Sequence, residues 1–162
     1  MIPWEKRSIE IASLFNPAFC SLILRQAIKG YLSEQPSGMP FPLSFLVLPI
    51  VLHRYTRETL PRNITTKMHV WVNNQGEVRV QFPERCKRLT QFTREGIIYG
   101  MQGNLFSVND LGFLISLDKK IKLPWNTDTE SNECARKAEF VGRWFAQAGE
   151  VSTIFHMWGV RP

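Results

Sequence analysis

The side chains that could bind a metal ion or act as a nucleophile are three histidines and three cysteines, scattered along 162 residues. His53, His69 and His156 have no cysteine or carboxylate at the spacing of a metal-binding motif. Cys20 and Cys134 lie among apolar residues, where a thiol behaves as a small buried hydrophobic group. The chain also has no glycine-rich loop followed by a lysine that would hold a phosphate. The sequence therefore predicts no catalytic residue, no metal site and no cofactor.

The chemistry that remains is positive charge, which is concentrated in the middle of the chain. The formal net charge is +6, and residues 54–95 hold nine lysines and arginines against four glutamates, a local balance of +5. Such a balance suits contact with nucleic acid or with an acidic protein surface. The candidate residues for contact with a partner protein or DNA are Arg54, Arg57, Arg62, Arg85, Lys87, Arg88, Lys119, Lys120 and Arg161.

Aromatic side chains are abundant, with eleven Phe and five Trp. Hydrophobic residues make up 44% of the chain and charged residues 21%, as in a folded globular protein rather than a disordered one. Because aromatic side chains supply much of the energy of both cores and interfaces, we expect most of them to be buried and some to face a partner.

The segment "MPFPLSFLVLPIVLHRYTRETLPRN" (39–63) changes abruptly from apolar to basic. Its apolar half is shorter than the roughly 20 residues that a membrane span needs, and it contains three prolines. It therefore predicts a buried core helix, kinked or interrupted at Pro49. The charged N-terminus and the odd number of distant cysteines indicate a cytoplasmic protein without a membrane anchor.

The elements that position the basic residues are predicted to be mostly helical. Asn16 and Pro17 form a helix start, in which Asn caps and Pro occupies the first helical position, and this helix is expected to end near Tyr31. A shorter helix is expected over 4–14, the buried helix begins at Pro42, and a turn or short helix covers 55–60.

Residues 68–82 leave helix and strand open. Asn63 or Thr65 could cap a helix here, but the β-branched content and the turn-like "NNQG" (73–76) also fit a hairpin. After them the pattern is clearer: a helix over 83–102, a β-hairpin over 105–117 and helices over 131–148 and 151–158. The chain is thus predicted to be a single domain, 1–162, of mainly α (α+β) class, with core helices in 4–102, one hairpin and C-terminal helices in 131–158.

A basic helix followed by a hairpin also resembles the helix-plus-wing arrangement of winged-helix proteins. Arg85, Lys87 and Arg88 lie on the helix, and a lysine trio that includes Lys119 and Lys120 follows the hairpin. In winged-helix proteins, residues at these places contact phosphates. The alternative is a solvent-facing helix with a hairpin packed on its own domain, and the sequence leaves both open.

Five strings taken together resemble one family: "LFNPAFCSLILRQAIKGY" (14–31), "PFPLSFLVLPIVLHRYTRETLPRN" (40–63), "TREGIIYGMQ" (93–102), "RWFAQAG" (143–149) and "GVRP" (159–162). They are similar to the middle component of bacterial three-component ABC-ATPase conflict systems, a group that includes the small LmuC-type subunit of Lamassu antiviral defence. The likeness extends over nearly the whole chain, except for the hairpin and the 118–130 segment.

The resemblance implies a small, mostly helical and non-catalytic subunit that works beside an SMC-like ABC ATPase and a separate effector, often a nuclease. In this interpretation the chain is an adaptor that joins the effector to the ATPase in an anti-phage or anti-plasmid complex, where it could also touch DNA. A DNA-binding, winged-helix-like module or regulator is the alternative. The family carries no catalytic residues over to this chain.

Overall fold

The mainly α class is confirmed by a computed structural model, which describes residues 6–8, 15–117 and 120–161. Seven α-helices, two short 3-10 turns and one small antiparallel sheet account for the regular structure of these residues. The helices are α1 (Pro17–Glu34), α2 (Ser44–Val51), α3 (Arg54–Thr59), α4 (Met68–Asn74), α5 (Phe82–Gln102), α6 (Glu130–Ala148) and α7 (Val151–Met157), and the strands are β1 (Met39–Pro40), β2 (Phe106–Val108) and β3 (Phe113–Ser116).

Helix α1 begins as predicted and runs through the centre of the protein. The Asn16 side chain accepts a hydrogen bond from the Ala18 N–H (2.8 Å), and Pro17 occupies the first helical position. Helix α1 continues to Glu34, three residues beyond its predicted end, and packs against α5 and α6. The predicted helix over 4–14 lies largely outside the described residues.

Helices α1 and α6 approach each other closely because glycines face the contact. A Cβ on Gly142 would lie 1.9 Å from the Ala27 carbonyl oxygen, and one on Gly30 would lie 2.1 Å from the Glu139 carbonyl oxygen. No side chain fits at either point, so the backbones themselves are in contact. The two glycines thereby determine how closely α6 packs against α1.

The apolar half of the 39–63 segment is a core helix, as predicted. A 3-10 turn at Phe41–Leu43 leads into α2, and every residue from 46 to 51 is buried. Pro49 lies inside this helix, which ends two residues later at Val51. The next segment forms α3 rather than a plain turn, and the His53 side chain caps it by accepting the Thr56 N–H. No helix among the described residues is long and apolar enough to cross a membrane.

The ambiguous segment 68–82 is helical, so the hairpin alternative is wrong. It forms α4 and a 3-10 turn at Gly76–Arg79. Trp71 of α4 packs edge-on against Trp144, with ring centroids 5.4 Å apart, and this tertiary contact outweighs the β-branched content. The capping prediction is also wrong, because Lys67 occupies the N-cap position and makes no side-chain cap.

Helix α5 and the hairpin after it form as predicted, but the sheet has a third strand. Asn109 shapes the turn, since its side-chain oxygen accepts the N–H groups of Leu111 (3.0 Å) and Phe113 (2.9 Å). Strand β1 pairs antiparallel with β3, giving the order β1-β3-β2. A two-residue strand that contains Pro40 has no sequence signal, because it is too short to show alternation.

Helix α6 follows its predicted apolar stripe. Thr129 caps the helix by accepting the Asn132 N–H at 3.3 Å, and the residues at the 4-3-4 spacing, Cys134, Ala138, Val141 and Phe145, are buried. Helix α7 follows and packs against α4 and α6. These contacts place the start of α6 beside α3 and the first half of α5, where the candidate site lies.

Candidate partner-binding groove

A groove of about 780 Å³ opens where the start of α1, the α2–α3 junction, the first half of α5, the segment before α6 and the start of α6 meet. Two arginines of α5 and four aromatic side chains dominate its lining, and we call it the aromatic–arginine groove. Its defining residues are Phe15, Phe19, Arg85, Arg88, Phe92 and Trp125.

The aromatic residues form a half-buried apolar wall. Phe15 stacks on Phe92 with ring centroids 4.5 Å apart, and Phe19 meets Trp125 edge-on at 5.2 Å. Offset and edge-on geometries are those that the charge distribution of aromatic rings favours. All four side chains keep part of their surface exposed, so the groove can bury further apolar groups.

Arg57, predicted as a contact residue, is buried and pairs with groups of the protein itself. It is only 2% exposed, and its guanidinium donates to the Val51 carbonyl oxygen (2.9 Å) and to the Glu130 carboxylate. Glu133 supplies a second carboxylate 3.5 Å from its Nε. These contacts tie α3 to the start of α6 and pair the arginine with two carboxylates, while its contact with a partner stays a prediction.

Arg85 differs from Arg57 because it has no carboxylate partner among the described residues. Its guanidinium is half-buried over the Phe82 ring (5.6 Å) and makes long contacts, 3.4 Å each, with the Pro49 carbonyl and the Thr56 hydroxyl. Burial lowers the pKa of Arg85, as expected for a cation that loses water without gaining a counter-ion.

Arg88 lies one turn after Arg85 on the same helix and faces solvent. It too forms no ion pair within the part of the chain that the structure describes. His53 lines the same groove, and burial together with the charges of Arg85 and Arg57 lowers its pKa. The groove is therefore a region of positive potential whose two α5 charges are not neutralised by the described residues.

The other predicted contact residues are dispersed. Arg54 is exposed and pairs with Glu58 in the next turn (2.7 Å), and exposed Lys87 pairs with Glu84 (3.3 Å). Arg62 and Arg161 are also exposed and lie outside this groove, and Lys119 lies outside the described residues. The structure thus gathers only three of the nine predicted residues at the aromatic–arginine groove: Arg57, Arg85 and Arg88.

Lys120 belongs to a second groove, of about 930 Å³, between α1 and the end of the hairpin. Arg25, Lys29 and Lys122 line it together with Lys120, and no carboxylate of the described residues lines it. Arg25 is buried, and nothing in the local sequence distinguishes it from the exposed cations. We call this surface the basic groove.

The residues that sequence reasoning missed are the aromatic ones. The number of Phe and Trp residues indicated that some would face a partner, but no spacing links Phe19 to Phe92 or Trp125, since each lies on a different element. Tertiary packing brings them together: α1 packs against α5, and Trp125, in the segment before α6, packs on Phe19 of α1.

The thiols and histidines form no chemical cluster in the described ranges. Within residues 6–8, 15–117 and 120–161, no three His, Cys, Asp or Glu side chains come together as a metal site. Cys20, Cys86 and Cys134 are free and buried. Burial raises the pKa of Cys20 and of Cys86 to about 12 and also raises that of Cys134, so the three thiols stay protonated at neutral pH.

The fold and the groove define the chain as a mainly α protein with a small antiparallel sheet and a surface on which unneutralised arginines lie beside aromatic rings. The sequence profile of the ABC-three component (ABC-3C) system Middle Component 3 family matches residues 4–162, and the chain belongs to this family. Comparison of the chain with curated proteins and with solved structures gives no match. A middle component of this kind acts with the other components of an ABC ATPase system, which confirms the predicted resemblance at that level.

Proposed function

We propose that this middle component is a non-catalytic adaptor that joins an SMC-like ABC ATPase to its effector nuclease. The observation that carries the proposal is the family match, which spans residues 4–162 and thus makes nearly the whole chain a component of a multi-protein system. ATP hydrolysis and cleavage belong, in this proposal, to the two partners.

The surface supports a role between two partners. The aromatic–arginine groove uses the first half of α5, and large apolar side chains are exposed on its last turns. Ile98 is 51% exposed, Tyr99 49% and Met101 41%. Exposed apolar groups of this size, close together on one helix, are typical of surfaces that other proteins cover. One surface for each partner is what an adaptor requires.

Co-expression of the chain with the ATPase and the effector of its own system tests the adaptor role. We expect the three proteins to elute together in size-exclusion chromatography, and the ATPase and effector to separate when the chain is omitted. Ile98→Asp with Met101→Asp should release one partner, whereas Val80→Asp, at an exposed site outside α5, should not. An ATPase and effector that associate equally well without the chain would contradict the proposal.

We further propose that the system is a defence system of the Lamassu type, because the five sequence strings resemble its small subunit. Phage plating on cells that carry the three genes measures this directly. Plaque numbers should fall with the complete set and recover when the gene for this chain is deleted. Equal plating with and without the complete set would contradict a role in phage defence, and a plasmid-retention assay then tests the anti-plasmid form.

DNA contact within the same complex is a second candidate function, favoured by the basic groove. Three lysines and Arg25 line this groove, and no carboxylate of the described residues does. The long helix α5 followed by the β2–β3 hairpin also resembles the helix-plus-wing arrangement of winged-helix proteins.

Fluorescence anisotropy with a labelled DNA duplex at several salt concentrations tests this interaction. Charge reversal at Lys29, Lys120 and Lys122 should weaken binding and reduce the salt slope by about one for each phosphate that is no longer neutralised. Lys67→Glu, at an exposed site outside this groove, is the control. Unchanged binding by the triple variant would reject the basic groove as a DNA site.

A further inference from the structure

We propose that the aromatic–arginine groove binds a short segment of a partner protein in which a carboxylate lies beside apolar side chains. The proposal rests on the adaptor function above and adds the chemistry by which one partner is recognised. The charges, the rings and the size of the groove each support it.

The charges of Arg85 and Arg88 would be neutralised by an anion that the described residues do not provide. The same region holds two arginines with opposite surroundings, since Arg57 has two glutamates and Arg85 has none among the described residues. A half-buried guanidinium loses part of its hydration, and the two long hydrogen bonds of Arg85 to neutral oxygens leave its charge without a counter-ion among the described residues. Arg88 is one turn away, so both guanidiniums can approach the same carboxylate or two neighbouring ones.

The exposed surface of the aromatic rings favours apolar groups next to that anion. Phe15, Phe19, Phe92 and Trp125 line the same groove as the two arginines and keep part of their surface exposed. Half-buried aromatic side chains beside arginine are the residue types that dominate the energy of protein interfaces. A volume of about 780 Å³ accommodates a few side chains, not a folded domain.

Nucleic acid fits this groove less well than a protein segment. A phosphate backbone is bound by a series of available cations, and here the charge of Arg57 is already paired with Glu130 and Glu133. The basic groove, where no carboxylate of the described residues lines the surface, is the better site for phosphates. The observations at the aromatic–arginine groove therefore favour an acidic and apolar peptide.

A phage-displayed library of random 12-residue peptides tests the proposal without requiring a known partner. The protein is the selection target, and the Arg85→Gln/Arg88→Gln variant is the counter-selection. We expect selected peptides to place Asp or Glu beside Leu, Phe or Trp. Labelled forms of the selected peptides should bind the Arg85→Gln/Arg88→Gln variant at least about tenfold more weakly than they bind the unaltered protein. Peptides in which Asn or Gln replaces the acidic residues should lose affinity for the unaltered protein to the same extent.

The control variant is Arg94→Gln, which alters an exposed arginine on the same helix outside the groove and should leave binding unchanged. Arg88→Gln alone is informative even if Arg85→Gln perturbs folding, because Arg88 is exposed. Melting temperature and circular dichroism verify that each variant is folded.

The peptide selection would overturn the proposal if no peptide is selected, if the selected peptides lack acidic residues, or if Arg88→Gln and Arg85→Gln/Arg88→Gln bind them as tightly as the unaltered protein. Stronger binding of labelled oligo-dT, lost on the same substitutions, would overturn it in favour of nucleic acid. The co-expression experiment separates this outcome from the adaptor proposal. A three-protein complex that forms unchanged with Arg85→Gln/Arg88→Gln refutes the groove proposal alone, whereas failure of the unaltered chain to join its partners refutes the adaptor.

Discussion

Arg54 and Arg57 are three residues apart in α3, yet one lies in solvent and the other in the protein interior. The sequence shows both as members of one basic segment and cannot distinguish them, because burial of Arg57 depends on Glu130 and Glu133, more than seventy residues away. The same holds for Arg85. Only the three-dimensional structure shows that the described residues give it no carboxylate partner. The sequence predicted that this segment is basic. It did not predict which arginines pair with carboxylates of the protein and which remain available to a partner.

Substitution of the two α3 arginines should therefore have different effects. Arg57→Ala removes a buried side chain, a hydrogen bond to Val51 and two carboxylate contacts, and it should lower the free energy of unfolding by about 2–4 kcal/mol. Arg54→Ala removes only an exposed pair with Glu58 and should leave stability unchanged. Urea denaturation of both variants measures the difference, and equal stabilities would contradict the structural role of Arg57.

His53 should make stability depend on pH in the weakly acidic range. Burial and two nearby arginines hold its pKa below the ordinary 6.5, so the unfolded chain binds the proton more readily than the folded one. Stability from the neutral ring is complete above about pH 6.5 and is lost as the pH falls towards the lowered pKa of the folded state.

His53→Gln should flatten this part of the stability curve, measured as urea midpoints between about pH 7 and about pH 5. His69→Gln, on the exposed face of α4, is the matched control and should retain the slope of the unaltered protein. A slope that persists unchanged in His53→Gln would show that another group causes it.

At the scale of elements, helix positions were largely predictable and their contacts were not. Periodic apolar spacing defined α1, α5 and α6 to within a few residues, since each helix buries one face. The errors occurred where the signal was short or tertiary: β1 has two residues, and α4 is helical because Trp71 packs on Trp144. The close contact of α1 with α6 likewise has no periodic signature, since a single small residue at each point suffices.

Gly142→Ala should destabilise the protein although alanine favours helices. The added Cβ would lie 1.9 Å from a backbone oxygen of α1, so the helices must separate, and we expect a net decrease in stability of about 1–3 kcal/mol. Gly76→Ala, where nothing lies within 4 Å of the added atom, is the control and should be neutral or slightly stabilising. Thermal unfolding of both variants distinguishes them, and similar melting temperatures would refute the close contact.

At the scale of the whole molecule, one core contains all three cysteines, each on a different major helix. Cys20 belongs to α1, Cys86 to α5 and Cys134 to α6, and their raised pKa values and burial should make them slow to react in the native state. The class of fold and the position of this core were predictable from composition and periodicity. The groove was not, because five separate segments form it.

Pulsed alkylation with N-ethylmaleimide followed by mass spectrometry tests whether that core opens as a unit. We expect the three thiols to be labelled together as urea passes through the unfolding midpoint seen by circular dichroism. Early labelling of Cys134 alone would show instead that α6 separates first, and this would contradict a single cooperative core.

Helix α5 carries the groove arginines on its first turns and the exposed apolar side chains on its last. From Arg85 to Met101 the helix spans about 24 Å, at about 1.5 Å per residue. Because this helix is continuous and one face of it is buried in the core, we expect the distance between the two surfaces to stay the same when either is occupied. In the proposed adaptor, with one partner at each surface, this helix would set the distance between the two partners.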